Sequence, residues 1–210
     1  MLGGLKQALK SSTHFMDAYD RVRFRLRSYH PSRLRAEGNL YFRKKGRRVR
    51  GEVIHCGARG DFDKMGWRYR WYFPKASRYY TLDLEGEVDF QQDITNMIEL
   101  ASGRFDCVFA PWVFEHVQGV EAAAREVHRI LRPGGDFLFG LPGGVAYHGY
   151  PHDYWRFTLG GIDHLLREFD ILEVRAVGEF GPGKLDDRLR FYHAASPAVP
   201  AGWVGLARKR

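Results

Sequence analysis

After residue 50 the chain alternates short apolar runs with segments of helical or turn pattern, and this alternation constrains the fold more than any other feature. Strand-like runs fall at Glu52–Cys56, Tyr79–Leu84, Val88–Gln92, Phe105–Ala110 and Asp136–Leu141. Apolar Val120, Ala123, Ala124, Val127, Ile130 and Leu131 recur at helical spacing, which predicts a helix over 120–131. The proline and paired glycines of Arg132-Pro133-Gly134-Gly135 should stop it and open a turn. A second helix is expected over 159–169, with Thr158 as its cap. Strands separated by helices form a mainly parallel sheet covered on both faces. Two late runs, ILEVRAV and WVGLARK, have no helix between them. They read as a closing hairpin at one edge, with FGPGKLDD carrying its turn.

Length and composition narrow the class. A chain of 210 residues suits one domain with a sizeable core, and a hydrophobic fraction of 44% excludes disorder. No apolar run approaches the roughly 18 residues that span a bilayer, and the N-terminus has no long apolar segment of the secretory kind. Cys56 and Cys107 sit inside apolar runs without metal-ligand spacing. They read as buried reduced thiols, which suits the cytoplasm. The nine histidines form neither H-x-H nor H-E-x-x-H, so no metal site is expected. There is no nucleophile elbow and no P-loop.

Charge divides the chain at about residue 50. Residues 1–50 hold 14 Lys and Arg against 3 Asp and Glu, whereas the remainder holds 19 against 22. The expected organisation is a basic, partly helical arm over 1–50 and one domain over 51–210. RVRFRLR and RKKGRRVR in the arm are either a solvated face and linker or a patch for a polyanion such as nucleic acid or an anionic surface. No RNA-binding signature accompanies them.

In such a sheet, ligands sit at the carboxyl ends of the strands, near the point where strand order reverses. The first strand runs into VIHCGARGD, Val53 to Asp61, a turn that resembles a nucleotide-binding loop with glycines missing. The second ends at Asp83, 26 residues after Gly57, where an acid that holds ribose hydroxyls should fall. The third ends at Asp93 and the fourth at Ala110-Pro111-Trp112, followed by Phe114-Glu115-His116.

FDCVFAPWVFEHV, ILRPGGDFLFGLP and YHGYPHDYWRFT, together with LDL at the end of the second strand, resemble the class I S-adenosylmethionine-dependent methyltransferases. The likeness is to a small bacterial group of that superfamily and covers about residues 50–180. It implies a Rossmann-like α/β fold, a seven-stranded sheet with an antiparallel last strand at its edge, and S-adenosylmethionine as cofactor. The family's loop reads acid-x-Gly-x-Gly-x-Gly; here His55, Gly57, Arg59 and Asp61 take those places, and Gly57 alone keeps the pattern. The implied cofactor set is His55, Gly57 and Ala58 in the loop, Asp83 on the ribose, Leu84 beside the adenine, Asp93 and Ile94 at its edge, and Ala110, Trp112 and His116 after the fourth strand. Asp93 could instead cap a helix, Trp112 could be core or touch substrate, and the Glu115-His116 pair could tie its loop to the next helix.

The twelve residues Tyr147 to Thr158 hold two histidines, an acid, an arginine and five aromatic rings. Following the fifth strand, they should border the methyl-transfer site. His148 or His152 is the candidate general base, with Tyr154 orienting the nucleophile. Tyr150, Asp153 and Arg156, with Trp112, are candidates for holding the acceptor. Alternatively, Tyr154, Trp155 and Phe157 pack the loop and Asp153 pairs with Arg156. The expected activity is methyl transfer to oxygen or nitrogen of a small or saccharide-type metabolite. The alternatives are transfer to nucleic acid through the basic arm, or a fold that has lost catalysis.

Overall fold

The computed structural model describes residues 32–148, 152–180 and 199–210. Seven strands form one sheet: β1 Gly51–Cys56, β2 Ala76–Asp83, β3 Phe90–Gln91, β4 Phe105–Pro111, β5 Leu131–Pro142, β6 Phe169–Phe180 and β7 Val199–Lys209. Their order is β3-β2-β1-β4-β5-β7-β6. Pairings from β3 to β5 are parallel, and β7 runs antiparallel to both β5 and β6. The sheet is thus α/β, mainly parallel and seven-stranded with an antiparallel last strand, as expected. The position of that strand differs: β7 lies inside the sheet and β6 forms the edge. The segment FGPGKLDD lies, but for Phe180, outside the described residues.

Three helices are described: α1 Arg33–Gly46, α2 Val120–Ile130 and α3 Leu159–Leu165. On one face of the sheet, Val120, Ala123, Ala124, Val127 and Ile130 of α2 and Ile162 and Leu165 of α3 pack on Ile54, Val108, Phe137 and Phe139. Thr158 caps α3, its Oγ1 accepting from Gly161 N at 3.1 Å. That helix is shorter than expected because Phe169 already begins β6. The fifth strand is longer than expected. It starts at Leu131, which pairs with Phe105, and a register shift before Cys107 absorbs the Arg132–Gly135 turn.

The other face is covered from the N-terminal side, which moves the expected boundary at residue 50. Leu34, Tyr41 and Phe42 of α1 share a buried cluster with Val53, Phe109, Leu138 and Val204. Ser32 caps the helix, and Arg43, Lys44 and Lys45 fall in its last turn, where cations suit the helix dipole. Lys45 pairs with Glu173 of β6, and Glu37 accepts from Gly178 N at 2.8 Å. Residues 33–46 are therefore part of the domain and not of a separate arm. Between β1 and β2 the described chain has only a 3-10 turn, Tyr69–Tyr72, in an aromatic segment without helical periodicity.

Cys56 and Cys107 are free and buried on the two central strands. Burial pushes the Cys56 thiol up to about 12 and the Cys107 thiol well above its ordinary value. Neither is expected to react with an aromatic disulfide reagent in the native protein, and both should react once it is denatured. Colour released by the native protein before unfolding would contradict this packing. Among the described residues no helix is long and apolar enough to cross a membrane.

Candidate active site

The carboxyl ends of β1 and β2, the segment after β3 and the residues following β4 enclose a cleft of about 830 Å³. Of the residues singled out in the sequence, Gly57, Asp83, Leu84, Asp93, Ile94, Trp112, His116 and Tyr154 meet around it. Arg59, Glu85, Gln92, Thr95 and Val113 also line it; sequence spacing gave no signal for these. His55, Ala58, Ala110, His148, His152, Asp153 and Arg156 are not among its lining, and Tyr150 lies outside the described residues.

The loop after β1 turns at Gly57, whose φ of +77° only glycine adopts without strain. Gly57 N and Ala58 N both donate to Leu82 O, at 2.9 and 3.1 Å, which ties the loop to the end of β2. A Cβ at position 57 would stand 2.4 Å from Val113 Cγ2. Gly57→Ala is therefore expected to push Val113 and strain the loop. A cost of about 1–3 kcal/mol would weaken ligand binding in the cleft by roughly 5- to 150-fold. Calorimetric titration of the variant with S-adenosylhomocysteine checks this, and unchanged affinity would contradict it.

Asp83 is aimed by two backbone amides. Arg59 N donates to its Oδ2 at 2.9 Å and Leu84 N to its Oδ1 at 2.8 Å. Each carboxylate oxygen keeps further acceptor capacity for a diol in the cleft. Leu84 beside it is a strongly exposed apolar side chain, as a wall awaiting a ring would be. Asp93 Oδ1 accepts from Thr95 N and Thr95 Oγ1, both at 2.8 Å. No helix follows, so Asp93 closes a local turn instead of capping one. Next to it the buried Gln92 Nε2 has no partner, although its Oε1 accepts from Glu99 N at 3.0 Å. An orphaned donor, a fixed carboxylate and an exposed leucine around one cleft fit a purine nucleoside with a free ribose.

His55 does not face this cleft. Strand alternation sends it to the α1 side, among the rings of Tyr69, Tyr79 and Phe109. Its Nδ1 lies 3.4 Å from Asp61 Oδ1. Asp61 itself turns inward at φ 47° and accepts from Arg70 Nε at 2.6 Å and Tyr79 Oη at 3.0 Å. Burial acts to raise the Asp61 carboxyl, but His55 and Arg70 outweigh it and hold it below the usual value. Two departures from the family loop thus meet each other under the turn. Ala58 and Ala110 are likewise buried beneath the cleft wall.

Trp112 serves the α1 side. Its φ of +63° turns the ring back over the sheet, where Phe42 lies 6.2 Å away and Arg35 stacks at 4.9 Å. A Cβ on Gly140 would sit 3.1 Å from that ring, so the glycine makes room for it.

The loop after β5 is fastened to the residues after β4. Tyr154 N donates to Glu115 O at 2.7 Å and Trp155 Nε1 to Val117 O at 2.8 Å. Asp153 and Arg156 are spent on the loop itself. Both Asp153 oxygens take Arg156, and Arg156 also donates to Val145 O and Ala146 O at 2.8 and 2.9 Å. The Arg156 charge holds the Asp153 carboxyl down at about 2. This is the mutual pairing that the sequence offered as the alternative to contact with the acceptor. Among the described residues of this loop Tyr154 alone lines the cleft, its ring 5.5 Å from that of exposed His152.

Behind His116 the structure brings together three groups that sequence spacing did not. Glu115 is 0% exposed, and neither of its carboxylate oxygens has a partner. Burial pushes its carboxyl up to about 7. His116 Nε2 and His148 Nε2 each lie 3.9 Å from Glu115 Oε1.

Residues 73–139 match the family described as methyltransferase domain. No curated protein matches the chain in sequence. Solved structures share its architecture. The YcgJ protein of Bacillus subtilis matches with a TM-score of 0.60 at 14% identity, over 83% of this chain and 99% of that one. The 1,6-didemethyltoxoflavin-N1-methyltransferase of Burkholderia thailandensis, solved with its substrate and S-adenosylhomocysteine, gives 0.58 at 20%, over 95% and 91%. Phosphoethanolamine N-methyltransferase 2 of Haemonchus contortus, in complex with S-adenosylmethionine, gives 0.57 at 14%, over 95% and 58%. At these identities the likeness concerns the fold. The matched segment is a methyltransferase domain, and the strand order gives it a Rossmann-like α/β fold.

Proposed function

We propose that the chain methylates an oxygen or nitrogen of a small molecule, a saccharide-type metabolite among the candidates. The observation that carries this is a cleft of about 830 Å³, large among small-ligand sites, with Asp83 and Leu84 on one side and His116 and Tyr154 on the other. It has room for a nucleoside-sized cofactor and a compact acceptor. The Burkholderia relative, solved with 1,6-didemethyltoxoflavin, has the same fold.

Asp83 would hold the ribose hydroxyls, Leu84 and Ile94 would flank the adenine, and Gln92 and Asp93 would meet its edge. Gly57 would let the loop backbone approach. Bound S-adenosylmethionine supplies an electrophilic methyl on a sulfonium, so the chain must align a nucleophile and take its proton. Tyr154 would orient the acceptor at the cleft rim. Of the two candidate bases, exposed His152 stands beside Tyr154, their rings 5.5 Å apart, and would take the proton. The buried thiols suit a reducing compartment such as the cytoplasm.

Nucleic acid as acceptor through residues 1–50 is the less favoured reading. Within the helix Lys45 and Arg33 are already paired with Glu173 and Glu37. Incubation with methyl-labelled S-adenosylmethionine and a fractionated cell extract tests the proposal. Label in the small-molecule fraction is expected. Label only in RNA, DNA or protein would overturn it.

A further inference from the structure

We propose that Glu115, His116 and His148 form a binding site for a divalent first-row transition-metal ion beside the methyl-transfer cleft. Their ligand atoms all lie within 4.8 Å of one another. The reasoning starts from the two imidazoles. His116 Nδ1 meets His152 O at 2.5 Å, so it carries the proton and leaves Nε2 with its lone pair. His148 Nδ1 faces two acceptors at 3.3 Å, Asp153 Oδ2 and Ala146 O, both nearer than Arg156 Nη2 at 3.5 Å. Its Nε2 is then also a lone pair. Both of these nitrogens point toward a buried carboxylate whose oxygens have no partner.

Two imidazole lone pairs and a buried, unpartnered carboxyl facing one another offer a place for a cation. A proton does not fit the spacing, because 3.9 Å is beyond hydrogen-bond reach. An ion that bonds nitrogen and carboxylate oxygen at about 2.0–2.2 Å can touch two atoms that far apart at once. Two imidazoles and one carboxylate are the donor set of zinc, manganese, iron, cobalt and nickel sites. The outer contacts complete the pattern. Metal-bound histidines donate their other ring N–H to a carbonyl or a carboxylate, and here His116 has the carbonyl of His152 while His148 has that of Ala146, with Asp153 Oδ2 at the same 3.3 Å. Asp153 is in turn locked by Arg156, so the ring it orients cannot turn freely. Glu115, His116 and His148 supply three ligands, and His116 also lines the cleft. The ion's remaining positions would open there, where an oxygen of the acceptor could reach them.

The test uses the full chain, stripped with a chelator and titrated with Co²⁺ alone. One equivalent should bind with visible d–d absorption of a nitrogen-oxygen site, and Zn²⁺ should displace it. His148→Ala, at an exposed position, should weaken binding at least about 100-fold, since loss of outer partners alone costs 10–100-fold. Glu115→Gln keeps the side-chain shape and should do the same, with far-UV circular dichroism confirming the fold of each variant. His164→Ala, on the exposed side of α3, should bind as the parent does. Absence of one-equivalent binding by the parent chain, or undiminished binding by folded His148→Ala or Glu115→Gln, would overturn the site. None of these readouts depends on turnover or on the identity of the acceptor.

Discussion

Phe42→Ala is expected to lower the stability of this protein by about 3–5 kcal/mol, which for a chain of this size means a fall in Tm of roughly 6–20 °C. Phe42 is fully buried although it lies in the most basic part of the sequence. Its ring meets Phe109 of β4 at 5.2 Å, edge to face, and Trp112 at 6.2 Å. Removing it opens a cavity between α1 and the sheet that neighbouring rings cannot fill without leaving their own contacts. A deletion through residue 45 removes Leu34 and Tyr41 as well, so it should give an aggregating or unfolded chain, not a trimmed enzyme. Thermal denaturation followed by circular dichroism measures the effect. A Tm shift below about 3 °C would mean that α1 does not belong to the domain.

Asp83→Ala is expected to weaken S-adenosylhomocysteine binding by at least about 10²-fold, because it removes two charge-assisted hydrogen bonds worth roughly 1.5–3 kcal/mol each. The carboxylate also receives Arg59 N and Leu84 N, so part of the loss would come from a looser loop. Asp83→Asn separates the two causes. It keeps the size and one acceptor oxygen, and should fall between parent and alanine. Neither variant should move Tm by more than a few degrees, since Asp83 lies at the cleft and outside the two buried clusters. Equal affinity in parent and alanine variant would show that another residue holds the ribose.

The strand pattern and the strand-end residues were legible because both are local. Apolar runs fixed β1, β2, β4 and β5, and counting to their carboxyl ends found Gly57, Asp83, Asp93 and Trp112. What escaped depends on which way a side chain turns and on what arrives from elsewhere in the chain. His55 reads as a loop residue, but strand alternation puts it on the opposite face, where Asp61 comes to meet it. Phe42 sits in a run of basic residues that hides an apolar stripe at 34, 41 and 42. For Asp153 and Arg156, three residues apart in a helix-free loop, the spacing allowed both acceptor contact and mutual pairing, and the structure has the pairing. The Glu115-His116-His148 group spans more than thirty residues and has no local spacing that could reveal it.

The most direct test is calorimetric titration of the folded full-length chain with S-adenosylmethionine and with S-adenosylhomocysteine. One equivalent of each is expected to bind, with measurable heat and a rise in Tm on saturation. A folded chain that gives neither heat nor a Tm shift with either compound would contradict a working cofactor cleft at Gly57 and Asp83.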